Sequence, residues 1–153
     1  MRRVVFAVGF AAALLFHLAP ARAVTCVAFV RNETGFGLTG DAWRWWAAAR
    51  EDYWRGHQPE PGAVIVFAPT RQMRLGHIAV VRAVKGSRKI LIDQANWGTG
   101  PDKGEIETAV PVIDVSPRND WSEVRVEWAR TGTFGRVNPV NGFIYGPRDA
   151  RIR

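Results

Sequence analysis

Two residue types in this chain can carry out acyl-transfer chemistry together near neutral pH, a cysteine and a histidine. Cys26 is the single cysteine among 153 residues. A thiolate attacks carbonyl carbon, and an imidazole titrating near neutrality can take the thiol proton and later return it. Of the three histidines, His17 lies in an apolar N-terminal run and His57 sits between Gly56 and Gln58 in a Pro-rich stretch. His77 instead opens the apolar run Gly76-His77-Ile78-Ala79-Val80-Val81. The candidate pair is therefore Cys26 as nucleophile and His77 as general base. On residue types alone, a structural role for a strand-initial histidine is an equally good reading. A third polar group must hold the imidazole. It is expected on the strand that follows His77 in a hairpin, where Asp93, Gln94 and Asn96 are the options. Strand alternation puts Gln94 and Asn96 on one face and Asp93 on the other.

The compartment bears on the thiol. Arg2 and Arg3 precede a nearly unbroken apolar run over residues 4–18, and Ala21-Arg22-Ala23 has the small-x-small pattern of a leader cleavage site. Residues 1–23 are thus expected to be a signal peptide, shorter in its apolar part than the roughly 20 residues a spanning helix needs. Removal would place the mature domain at 24–153 in the periplasm or outside the cell, with no stable membrane insertion. A lone cysteine in an oxidising compartment is an inert buried thiol, half of an intermolecular bridge, or a reactive group. Losing Arg2, Arg3 and Arg22 with the leader takes the formal charge from +7 to +4. That balance fits an anionic polymer such as cell wall. The basic residues are scattered, and an exported protein seldom meets nucleic acid, so none is expected as partner.

The elements that must position this chemistry follow from periodicity and punctuation. The mature chain suits one domain with a single core. Thr25 is a possible N-cap for a helix from Cys26, although the same residues also read as a short strand. A thiol at a helix N-terminus faces unpaired amides that favour its ionised form. After Gly35, Gly37 and Gly40, Asp41 is expected to cap a second helix running to about Tyr53. Beyond Pro59 and Pro61 the pattern becomes that of strands: 63–68, 77–84, 89–94, a short one around Pro111, 123–128 and a closing 141–145. Helices first and an antiparallel sheet after them make the class α+β. Several tryptophans exceed what a core of this size demands. Trp97, Trp43 and Trp121 are candidate substrate contacts, and the polar loop 114–121 is a candidate groove border.

The blocks Cys26-Val27-Ala28-Phe29-Val30-Arg31, Gly40-Asp41-Ala42-Trp43, Pro61-Gly62-Ala63-Val64, Gly76-His77-Ile78-Ala79-Val80-Val81 and Ala95-Asn96-Trp97 together resemble the CHAP domain family, the cysteine, histidine-dependent amidohydrolases and peptidases. The resemblance runs in order from about Thr25 to Pro147. It implies a papain-like α+β fold, with N-terminal helices packed on a central antiparallel sheet. It implies peptidoglycan or its stem peptides as substrate, cleaved at an amide bond without metal or organic cofactor; the oligomeric state is left open, with a monomer expected. Cys26 and His77 match the family's nucleophile and base. The family often has Glu two positions before the Asn of its Asn-Trp pair, and here that position is Gln94. A neutral amide orients an imidazole but does not stabilise the imidazolium as a carboxylate does. Asn96 and Gln94 are therefore joint candidates for the third residue, Asn96 first, with Asp93 in reserve. The rival readings are a retired wall-binding module, an exported antibacterial effector with the same chemistry, and an envelope protein that uses Cys26 for an intermolecular disulfide.

Overall fold

The computed structural model describes residues 23–149, so the expected leader lies, but for Ala23, outside the described residues. The first helix, α1, spans Cys26–Thr34. Its N-cap is Thr25, whose hydroxyl accepts the Ala28 N–H at 3.1 Å. Gly35 ends it in the left-handed conformation at φ 70°, its N–H donating to the Arg31 carbonyl. Phe29 and Val30 are its buried residues.

The second helix is much shorter than the sequence suggests. A 3-10 turn over Ala42–Arg44 runs into α2, which is only Trp45–Ala48. Tyr53, expected to end that helix, instead opens a strand, β1 (Tyr53–Gly56). The strand pairs with the chain's C-terminal segment, Tyr53 against Pro147 and Gly56 against Phe143. Tertiary pairing of an aromatic segment outweighs the local helical preference of the alanines before it.

Six further strands follow: β2 (Val64–Phe67), β3 (His77–Gly86), β4 (Lys89–Ala95), β5 (Ile106–Asp114), β6 (Glu123–Trp128) and β7 (Thr133–Pro147). They match the expected strands except at two places: β5 is a full nine-residue strand where only a short one around Pro111 was expected, and β7 is far longer than 141–145. Its first half is rich in Gly, Asn and Pro and mostly exposed, so it carries little strand signal. All pairings are antiparallel, in the order β1-β7-β2-β3-β4-β5-β6, and β6 also pairs with β7. That last pairing closes strands β2 to β7 into a ring. The expected central antiparallel sheet is thus a closed, barrel-like wall, with few helices beside it.

Closure splits the apolar residues into two clusters. Ile65 and Phe67 of β2 point inward with Ala79, Val81, Ile90, Ile92, Val112 and Phe143. Val64 and Val66 point outward and meet Phe29 and Val30 of α1, Trp45 of α2, Ile78 and Ala95. β2 is buried on both faces, which is why it reads as a continuous apolar run.

Candidate active site

The sequence-predicted nucleophile and base come from different layers and line one cavity of about 1030 Å³. Cys26 is the first residue of α1 and is partly buried against the outer cluster. Burial pushes its thiol above the ordinary value, while backbone N–H groups of Ile78, Val27 and Cys26 itself pull it down. Two of those amides belong to the helix N-terminus and the third to the start of β3, next to His77. The helix end and the strand end therefore meet at the sulfur.

His77 stands at the first position of β3, opposite Phe67 of β2, and is only 3 % exposed. Its ring packs edge-on to Trp97 at 4.9 Å and tilted to Phe67 at 5.6 Å between centroids. Burial pushes its pKa down to about 4, with the hydrogen bond to Gln94 acting the other way. Gly76, just before it, is in the left-handed region at φ 65°. A Cβ there would lie 2.8 Å from the Phe67 carbonyl oxygen and 3.1 Å from both the Trp43 amide nitrogen and Cβ. Glycine is thus required by a close backbone approach that sets the entry of β3.

Of the three candidates for the third residue, the ring contacts Gln94. His77 Nε2 lies 3.1 Å from Gln94 Oε1, in a fully buried contact. Gln94 shares the inward face with Ile90 and Ile92, as alternation requires. Asn96 comes after the end of β4, in a left-handed conformation at φ 62°, with its N–H on the Glu105 carbonyl at 2.9 Å. It lines the cavity without being the ring's partner. Asp93 faces the other way, bound to Arg82 at 3.2 Å and to the Ala109 N–H at 2.7 Å. It is removed from the site.

The candidate substrate contacts divide. Trp97 lines the cavity and covers His77. Trp43 does not line it; its 40 % exposed ring lies under the Arg44 guanidinium, 5.2 Å from the centroid. Trp121 is a correction: it is 2 % exposed and set edge-on to Phe143 in the inner core, where no substrate reaches. The loop 114–121 is also internal in its bonding. Asp114 accepts the Ser116 N–H at 2.8 Å, and Arg88 bonds the Ser116 carbonyl at 2.9 Å. None of the loop's residues lines the cavity.

Two features escape a reading of the sequence. Trp128, at the end of β6, and Arg136 and Asn138 of β7 line the cavity across from Cys26's helix. Behind the histidine, Gln94 Nε2 donates to Glu107 Oε2 at 2.9 Å, Gln94 and Glu107 being direct cross-strand partners. Burial, with the carboxylates of Glu105 and Asp102, pushes Glu107 above the usual carboxylate range, and the bond from Gln94 opposes this. Only the β4–β5 register could have pointed to Glu107.

A profile of the CHAP domain family matches residues 19–96, just over half of the chain, a span that contains Cys26, His77, Gln94 and Asn96. Among solved structures, the chain is similar to an N-acetylmuramoyl-L-alanine amidase from Staphylococcus aureus at 19 % identity and a TM-score of 0.49. The alignment covers 85 % of this chain and 35 % of that one. No curated protein sequence matches.

Proposed function

The chain belongs to the CHAP domain family, and from that premise we propose that it is an exported, papain-like cysteine hydrolase that cuts amide bonds of peptidoglycan. The observation that carries this reading is the meeting of Cys26, at the N-terminus of α1, with the His77 end of β3 in one cavity. The reaction needs a nucleophile, a base and a held imidazole, and the geometry supports all three roles.

In this reading His77 takes the Cys26 proton as sulfur attacks the substrate carbonyl. The C–S bond forms, and the oxyanion is held by the Cys26 backbone N–H, which has no intrahelical acceptor at its position in the helix. His77 then gives the proton to the departing amine as the C–N bond breaks. Water hydrolyses the thioester, with His77 again as base. Gln94 orients the ring, and Trp97 keeps water off the bond between them. A cavity of about 1030 Å³ suits a segment of a polymer more than one small molecule. Arg74, Lys103 and Arg136, against the single carboxylate of Asp41, give its walls a net positive charge. Export, through the leader at 1–23, would bring this site to its substrate.

The test is digestion of purified peptidoglycan under reducing conditions by the native protein and by Cys26→Ala, with products identified by mass spectrometry. Fragments released by the native protein alone are expected, and their masses name the bond. Binding without release by either protein would instead favour a retired wall-binding module, the reading that an amide at position 94 makes specific.

A further inference from the structure

We propose that Glu107 is a positioning residue, acting through Gln94, that fixes which nitrogen of the His77 ring carries the proton. The three side chains run across three neighbouring strands: His77 on β3, Gln94 on β4 and Glu107 on β5. An amide side chain has two faces of similar size, one donating and one accepting. Alone beside an imidazole, it can present either. An ionised carboxylate has only acceptors, so Glu107 takes the amide N–H of Gln94 and turns Oε1 toward His77. That oxygen carries no hydrogen, so the ring must donate from Nε2. Nδ1 is then left unprotonated for the thiol of Cys26.

The carboxylate usual in this role is therefore not lost from the site; it stands one residue further back. Without it the amide is free to rotate, and the ring's Nε2 would accept from the Gln94 amide with the proton moved to Nδ1. That tautomer is unable to take a proton from sulfur. The cost of a wrong tautomer in a related constellation is large. The charged and titratable neighbours of Glu107 are Glu105 and Asp102, and Asp102 is paired with Arg130. The inference rests on the reading of His77 as the base, but its structural half does not need activity.

The experiment compares the native protein with Glu107→Ala, Gln94→Glu and the exchanged pair Q94E/E107Q. Steady-state rates on solubilised peptidoglycan are read alongside ¹⁵N spectra of the imidazoles, the His77 signal being assigned by its loss in His77→Asn. Glu107→Ala is expected to lower kcat roughly tenfold with KM unchanged, as outer-shell partners of a functional imidazole do. The His77 spectrum should move from a single Nε2–H form to a mixture. The exchanged pair keeps one carboxylate and one amide in reversed order, so it should recover to within about threefold of native kcat. Gln94→Glu alone sets two carboxylates together and should fall below the exchanged pair. Native kcat and an unchanged tautomer in Glu107→Ala would overturn the proposal, as would an exchanged pair no better than either single variant. If the protein releases nothing from peptidoglycan, the spectra decide alone: a tautomer that follows Glu107 upholds the relay while the substrate reading fails, and one that ignores it sinks the relay.

Discussion

Cys26 and His77, the proposed nucleophile and base, are each held in the uncharged form by their surroundings. Burial raises the Cys26 thiol despite three backbone amides, and burial lowers His77 to about 4 despite Gln94. Both shifts favour thiol with neutral imidazole over thiolate with imidazolium, so the resting protein is predicted to hold no preformed ion pair. The proposed catalysis then requires His77 neutral, and kcat/KM should fall on the acid side only as pH drops toward about 4. Alkylation by iodoacetamide without substrate should be slow at pH 7 and rise steeply on the alkaline side. Alkylation that is already at its plateau at pH 6 would mean a thiolate–imidazolium pair and defeat this account. Cys26 and His77 stand out in the sequence because each residue is rare in the chain and chemically distinctive, and the fold brings both to one cavity. The choice between Gln94 and Asn96 was not legible. Alternation gives them the same face, and only the end of β4 at Ala95, with the turn to positive φ at Asn96, separates them.

At the scale of elements, the site depends on how β3 enters the sheet. Gly76 needs glycine twice over, for its φ of 65° and for the backbone atoms of Phe67 and Trp43 packed against it. Gly62 has a φ of 84° but open space around its Cβ position. Gly62→Ala should therefore cost about 1 kcal/mol, the left-handed penalty alone. Gly76→Ala should cost clearly more, about 2–4 kcal/mol, and lower kcat by shifting His77. Urea unfolding of both variants, paired with rate measurements, checks this. Equal losses of stability, or full activity in Gly76→Ala, would show that β3 is positioned otherwise. The strands of the middle of the chain were legible from their apolar alternation and turn residues. β1 was not, since it is fixed by pairing with a segment some ninety residues on, and the first half of β7, though it folds back on β6 in a hairpin, is too exposed and too rich in Gly, Asn and Pro to show a strand pattern. Glu107 was hidden because its meaning lies in a register that no local pattern encodes.

Across the whole molecule, β2 divides an inner from an outer apolar cluster, and the site lies where the outer layer meets the open end of the inner one. That location ties the chemistry to stability. Folding places the His77 ring among Phe67, Trp97 and Gln94, where a proton is unwelcome, whereas the unfolded chain binds one with a pKa near 6.5. Between pH 6.5 and about 4 the unfolded state holds more protons than the folded one, so stability increases with pH through that window. The contribution is complete above pH 6.5, is lost as pH falls toward 4, and amounts to roughly 3 kcal/mol. Glu107 works in the opposite direction, since a raised carboxylate favours the folded state on the acid side. The two are separated by substitution. Denaturant unfolding at pH 7 and pH 4.5 should show the native protein losing about 2–3 kcal/mol more than His77→Gln over the same interval. Identical losses would mean that the buried imidazole accepts its proton at no cost. A ring that charges freely in the folded state would also undo the argument that the resting site is neutral, so four unfolding curves, two proteins at two pH values, test the fold's account of the site and the site's account of its own chemistry.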